Sequence, residues 1–363
     1  MDGHFEQART LFQEGVAHYQ AGRLAAAEQK FAAALALVPG RPSVLTNLGA
    51  VRLKLGRAGE ALAVLEEALR QEPANADALG PRTAAVADLG RLDQAVAMFD
   101  RALAADDRSA ASWTLRGTAL RELGDREGAA ASFREALARG GDAEPLGYYL
   151  PPVQQAEPPG RPPRQYVEGL FDRYAGEFDQ HLVHALAYDA PRVLAQRLAA
   201  QGRTWEHALD LGCGTGLGGP LLRPLARRLT GIDLSAGMLA RAAALRVYDE
   251  LRQADAVEFL ASGEERFDLV VAADVFIYVG ALDGVFAGLA RRMPAGGSFC
   301  FTVEESAGQP LELRPSLRYA HSEASLRELA QRHGFRVVHA ERRPLRTEQR
   351  QPVPGLFLGM ERD

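Results

Sequence analysis

The sequence predicts two joined parts of different class: an all-helical solenoid, then a doubly wound, mostly parallel α/β sheet. Two observations carry this. Over the first third of the chain the glycines Gly22, Gly56, Gly90 and Gly124 recur every 34 residues, each at the turn before a helical pattern. Further on, apolar runs of strand length alternate with helical patterns. One run, HALDLGCGTGLGG, ends in a glycine turn that joins a strand to a helix.

The repeats come first. In register with the turn glycines lie Ala27, Ala61, Ala95 and Ala129, then Phe31, Leu65, Phe99 and Phe133, then Ala34, Ala68, Ala102 and Ala136. Small residues let the two helices of a hairpin approach closely, and the large apolar ones fill the seam between them. The preceding helices repeat Gly15, Gly49 and Gly117, with Leu11, Leu45, Leu79 and Trp113 at the bulky position. Pro39 and Pro73 end the first two hairpins, where Asp107 and Gly141 stand later. Four such copies resemble the tetratricopeptide repeat over about residues 8–143, so residues 1–143 are read as a repeat array of four units. The third copy departs from the pattern, with Thr83 in place of glycine. Gly80-Pro81 falls inside its first helix, so a late start or a kink is expected there.

The resemblance implies a concave groove for an extended peptide or protein partner, or a surface for self-association. Phe12, Val16, Tyr19, Thr46, Ala50, Thr114 and Thr118 are its expected lining.

Residues 144–164 are dense in proline and glycine and read as a semi-rigid connector without helix, which places the second domain at 165–363. His181 and His184 follow on a helical pattern. With no further ligand cluster beside them they read as an exposed face, not a metal pair.

The chemistry lies in the glycine turn. An apolar run ends in Asp210, and Gly212, Gly214 and Gly216 follow at alternate positions. Glycine there permits close approach of a ligand to the backbone. Dinucleotide-binding turns hold a pyrophosphate on wider spacing. An acid two residues before the first glycine repels a pyrophosphate and suits a cationic amino group. A second strand, RRLTGID, ends in Asp233, placed to accept the two hydroxyls of a ribose. Asp255 and Ala256 follow a third short strand, suited to an adenine amino group, and a fourth apolar run reaches Asp274. SFCFTVEE, FRVVHAER and GLFLGMER complete the strands.

This ordered set resembles the class I S-adenosylmethionine-dependent methyltransferases over roughly residues 165–363. YVEGLFDRYAGEFDQHL, LRYAHS and PVPGLF are further similar to a bacterial group of methyltransferases that carry tetratricopeptide repeats and stand near the trans-aconitate methyltransferases. The resemblance implies a Rossmann-like, seven-stranded sheet with its last strand antiparallel, and S-adenosyl-L-methionine as cofactor. It also implies that Tyr174 lies near the methionyl end, with Leu234 and Met238 flanking the ribose and adenine.

The acceptor side is expected after the fourth and fifth strands, at Tyr278, Glu304, Arg318, Tyr319 and His321. Arg318, Tyr319 and His321 are expected on a loop before a helix that starts near Ser322. There His321 would either serve as a base near its ordinary pKa or only cap or pack against the helix start, and Arg318 could hold a carboxylate. A small-molecule acceptor, a protein acceptor recruited by the repeats, and an adaptor with a catalytically silent fold all fit these residues.

Composition narrows the partners. With 47% apolar and 25% charged residues and a net charge of −5, the chain has the content of a globular protein and no clustered basic excess for nucleic acid. The first residues show no secretory leader, and no apolar run is long enough to span a bilayer. Cys213 and Cys300 are too few for a disulfide framework, and a reducing, cytoplasmic setting is expected.

Overall fold

A computed structural model describes residues 2–72, 75–154, 156–174, 188–348 and 351–363. Contacts divide the chain into two compact units, Met1–Leu146 and Gly147–Asp363.

In the first unit, helices pair as four hairpins: α1 (Asp2–Gln20) with α2 (Leu24–Leu37), α3 (Pro42–Lys54) with α4 (Ala58–Gln71), α5 (Ala76–Asp88) with α6 (Leu92–Ala105), and α7 (Ala110–Leu123) with α8 (Arg126–Ala138). The turn glycines Gly22, Gly56, Gly90 and Gly124 all take left-handed backbone, at φ of 71°, 77°, 75° and 86°. The glycines of the first helices have a different purpose. A Cβ on Gly15 would lie 2.7 Å from the ring of Phe31, and one on Gly117 would lie 2.5 Å from the ring of Phe133. Each is a notch that seats the large residue of its own hairpin, and Gly49 does the same for Leu65.

α5 begins at Ala76, in register with Pro42 of α3, so Pro81 does not delay its start as expected. Asn75 caps it by accepting from the Ala78 N–H at 3.1 Å, and Ala78, Ala85 and Val86 are buried, which outweighs the backbone bond lost at proline. Pro73 lies outside the described residues. Of the residues expected to line the groove, Thr46 is buried, and Phe12, Val16 and Tyr19 pack as half-buried members of the first hairpin's core.

The expected connector is helical in its first half, and residues 156–163 are without helix or strand. α9 (Ala143–Gln154) runs through that first half despite Pro151 and Pro152. Tyr148 explains why packing overrides the proline cost: its ring is buried against Leu313, Leu317 and Tyr319, and its hydroxyl donates to the Leu317 carbonyl at 2.7 Å.

The second unit continues with α10 (Arg164–Tyr174), α11 (Ala190–Ala199), β1 (Trp205–Leu211), α12 (Gly219–Leu222), β2 (Ala226–Asp233), α13 (Ala236–Ala244), β3 (Glu250–Gln253), α14 (Ala256–Ala261), β4 (Leu269–Ala272), α15 (Asp283–Arg292) and β5 (Ser298–Glu305). After these come β6 (Leu311–Leu313), β7 (Tyr319–His321), α16 (Glu323–Arg332), β8 (Phe335–Glu348) and β9 (Gln351–Arg362). Parallel strands run in the order β3-β2-β1-β4-β5, and β9 joins β5 and β8 antiparallel. The seven expected strands are present, and the short β6–β7 hairpin adds two more. β4 pairs β5 through Phe301, and β7 pairs its last residues, Glu304 and Glu305, so the hairpin stands at the carboxyl end of the sheet. Phe299 and Phe301 stack at 4.5 Å, with Phe276 and Phe286 edge-on to them in the buried core. Among the described residues no helix is long and apolar enough to cross a membrane.

Candidate functional site

A cavity of about 650 Å³ opens at the carboxyl ends of β1, β2 and β4, where a doubly wound sheet offers loops instead of strand edges. Its floor is the glycine turn. Gly212, Gly214 and Gly216 hold φ of 70°, 56° and 90°. A Cβ on Gly212 would also meet Val275 at 2.5 Å, so both conformation and space exclude a side chain there.

Asp210, on β1, is 5% exposed and lines the cavity. Its Oδ2 accepts from the Tyr248 hydroxyl at 2.7 Å. Burial pushes its carboxyl up to about 6, the Tyr248 bond pulls the other way, and the Asp233 charge adds to the rise. Asp233 ends β2, and its two oxygens accept from the Gly214 and Ser235 N–H groups, each at 2.9 Å. These bonds orient the carboxylate, which lines the cavity. Leu234, Met238, Asp255 and Ala256 line the same wall. Asp255 also caps α14, accepting from the Val257 and Glu258 N–H groups at 2.9 Å. The glycine turn and the acids read from the sequence therefore meet in one place. Tyr174 ends α10, and its side chain lies outside the described residues, as do His181 and His184.

Asp274 follows β4 with φ of 60°, a left-handed conformation uncommon for a residue with a side chain. Its N–H donates to Thr302 Oγ1 at 2.8 Å, and its carboxylate receives Arg346 Nη1 at 3.0 and 3.2 Å. Arg346 is buried and also binds Glu304, which receives Arg314 Nη1 at 2.6 Å. Glu304 does not line the cavity as expected. Its place in this buried ion-pair chain, two residues beyond Thr302 on the same strand, turns it to the arginines.

The acceptor-side residues divide similarly. Tyr278 and Arg318 both line the cavity and hydrogen-bond each other. Burial raises the Tyr278 phenol, and its ring meets Phe171 of α10 edge-on at 5.0 Å. Arg318 is aimed by the β6–β7 turn, where Leu317 takes φ of 61° and its carbonyl is held by Tyr148.

Tyr319 and His321 are not on a loop but in β7, and neither lines the cavity. The Tyr319 hydroxyl donates to the Pro159 carbonyl at 2.6 Å. His321 is 4% exposed, with Nε2 at 2.9 Å from the Gly280 carbonyl, and burial lowers it to about 4. It is neutral at pH 7 and does not reach the cavity, which removes the expected base. Ser322 does cap α16, as the sequence indicates, by accepting from the Ser325 N–H at 3.2 Å.

Sequence reasoning missed Tyr188, Tyr248 and Arg346. Tyr188 and Arg346 line the cavity, and Tyr248 stands behind Asp210. None belongs to a motif with a period or a spacing. It also missed Arg161 and Arg164, which line the cavity from the stretch read as a connector.

Residues 209–301 match the family model of the methyltransferase domain, and tetratricopeptide-repeat models match residues 4–42, 52–119 and 110–139. A malonyl-[acyl-carrier protein] O-methyltransferase of Enterobacter lignolyticus is 33% identical over 155 residues, covering 43% of this chain and 59% of that protein. The enzyme of the same name from Erwinia billingiae is 29% identical over 160 residues, covering 41% of this chain and 61% of its own. The chain thus spans roughly three-fifths of the length of these curated relatives. The crystal structure of the N-methyltransferase NodS from Bradyrhizobium japonicum with S-adenosyl-L-homocysteine covers 54% of this chain and 97% of its own, at 20% identity and a TM-score of 0.45. The chain carries tetratricopeptide repeats followed by a domain of the methyltransferase family.

Proposed function

We propose that this chain transfers the methyl group of S-adenosyl-L-methionine to a carboxylate oxygen of its acceptor. The observation that supports this most is the division of one cavity between two chemistries. Asp210, Asp233 and Asp255 make the glycine-turn end acidic, which fits a cationic, hydroxyl-bearing cofactor. Asp210 and Gly212–Gly216 would hold its amino-acid end, Asp233 its ribose, and Asp255 with Met238 its base. When bound, the cofactor supplies a methyl group on a sulfonium, open to in-line displacement.

At the acceptor end stand Arg318 and Tyr278. Burial keeps the Tyr278 phenol protonated, His321 is outside the cavity, and Asp274 is engaged by Arg346. An alcohol or ammonium would need a base to surrender its proton; a carboxylate is already a nucleophile at pH 7. Arg318 would orient it bidentately, and proximity would do the rest. The curated relatives are named for O-methylation of a malonyl group on a carrier protein, which is also a carboxylate. We infer further that the repeats hold a protein or peptide, either one that bears the acceptor or a second copy of the chain. A reducing cytoplasm suits the buried free thiols of Cys213 and Cys300.

The test is the stability of the product. Full-length protein, methyl-labelled cofactor and either malonyl-acyl-carrier protein or a free dicarboxylate should yield a label released by mild alkali as volatile methanol, the signature of a methyl ester. Label that is incorporated but survives alkali overturns the carboxylate assignment.

A further inference from the structure

A residue behind the cavity completes its acidic end. We propose that Tyr248 is a positioning residue of the cofactor site: seated in a glycine-lined slot, it holds one oxygen of Asp210 and so presents the other to a cationic group in the cavity. This rests on the cofactor reading above and goes beyond it, because Tyr248 does not itself line the cavity.

The slot is built from two elements. A Cβ on Gly219, at the start of α12, would lie 2.7 to 2.8 Å from Cε2, Cζ and the hydroxyl oxygen of Tyr248. A Cβ on Gly231, in β2, would lie 2.9 Å from Cε1 of the same ring. A Cβ on Gly218 would lie 3.1 Å from Oδ2 of Asp210, the oxygen that Tyr248 holds. Unlike the glycines of the neighbouring turn, Gly218, Gly219 and Gly231 have no left-handed backbone to require them. Space alone explains them. At Gly219 the phenol is what fills that space, whereas Gly231 also meets Leu251 and Cys213.

The direction of the hydrogen bond is fixed as well. A carboxylate oxygen accepts, and burial keeps the phenol protonated, so its single proton goes to Asp210. The other groups facing Asp210 are Asp233 from β2, Cys213 from the glycine turn and Tyr188 from the segment before α11. None of these brings a positive charge. Tyr248 is therefore the donor that offsets burial, and without it the carboxyl would rise further above about 6 and lose its charge nearer neutrality.

The experiment measures S-adenosylhomocysteine affinity of the full chain by calorimetry across the range from about pH 5 to 8. In the native protein affinity should fall as Asp210 protonates, with a midpoint near its carboxyl value of about 6. In Tyr248→Phe that midpoint should move up by about one pH unit, the size of a hydrogen bond to a charged group. The two proteins should bind alike at the alkaline end. Gly219→Ala, which keeps the tyrosine and pushes it out of the slot, should show the same shift. Because the carboxyl carbon of Asp210 can be titrated by NMR in the ligand-free native protein, its midpoint checks the assignment even if both variants misfold: an ordinary carboxylate value there overturns it. An unmoved midpoint in a folded Tyr248→Phe also overturns it. Failure of the native protein to bind at any pH rejects the cofactor reading instead.

Discussion

His321 offers the sharpest separation of packing from catalysis. Its ring is buried, Nε2 is held by the Gly280 carbonyl, and Nδ1 is buried with no hydrogen-bond partner among the described residues. A proton added to Nδ1 would be a charge with nowhere to bond. Burial is the largest cause of a pKa lowered from 6.5 to about 4, and the backbone of Gly280 and Val279 opposes it. The unfolded chain takes up the proton first. His321 therefore contributes stability above pH 6.5 that is lost as pH falls toward 4. At about 1.4 kcal/mol per unit the whole effect is about 3 kcal/mol, of which about 2 kcal/mol is lost between roughly pH 7 and pH 5. His321→Gln keeps a donor near the Nε2 position and cannot titrate. Urea unfolding would be followed through Trp205, which is fully buried in β1, with Trp113→Phe as background to silence the repeat-array indole. The native protein should lose about 2 kcal/mol more than the variant over that range. An equal loss in both would refute the burial argument. A turnover reduced about a hundredfold at unchanged stability would return His321 to the chemistry.

Two further outcomes follow from the same geometry. Arg346→Met removes the cation shared by the buried Glu304 and the half-buried Asp274, and should cost about 3–5 kcal/mol in urea unfolding, partly recovered by adding Glu304→Gln; a loss under about 1 kcal/mol contradicts the ion-pair chain. A protein shortened to begin at Arg164 loses Tyr148 and the carbonyls of Pro159 and Gly160 that hold Tyr319 and the Ala281 N–H, so it should melt well below one that begins at Gly147; equal melting temperatures would show that α9 adds nothing to this unit.

What the sequence made legible is what repeats or alternates. The turn glycines carry their 34-residue spacing into matching backbone angles, and the acids after β1 and β2 arrive at one cavity because a parallel sheet brings its strand ends together. What stayed hidden depends on single contacts. Arg346 sits in RRPLRTE, which reads as an exposed edge; only the register shift of β8 between Pro344 and Arg346 accompanies its turn inward. Tyr248 stands in a short segment without period. α9 was concealed by two prolines whose cost is local, whereas the burial of Tyr148 that outweighs it is made by residues far down the chain. β7 has three residues, all buried, so no alternation could separate it from the loop that the sequence suggested.

The bond from Tyr148 to Leu317 spans 169 residues, and that from Tyr319 to Pro159 spans 160. This separation has a consequence in time. Each repeat hairpin closes on its neighbour in sequence and can form as soon as it leaves the ribosome. The tyrosines of α9 are made next, yet their partners in the β6–β7 hairpin emerge only after the glycine turn and strands β1 to β5. At about 5–20 residues per second, that is a wait of roughly 10 to 30 seconds with an apolar, tyrosine-rich face unsatisfied. The cavity wall is thus among the last parts of the molecule that can close, although its first residues are made before any strand of the sheet.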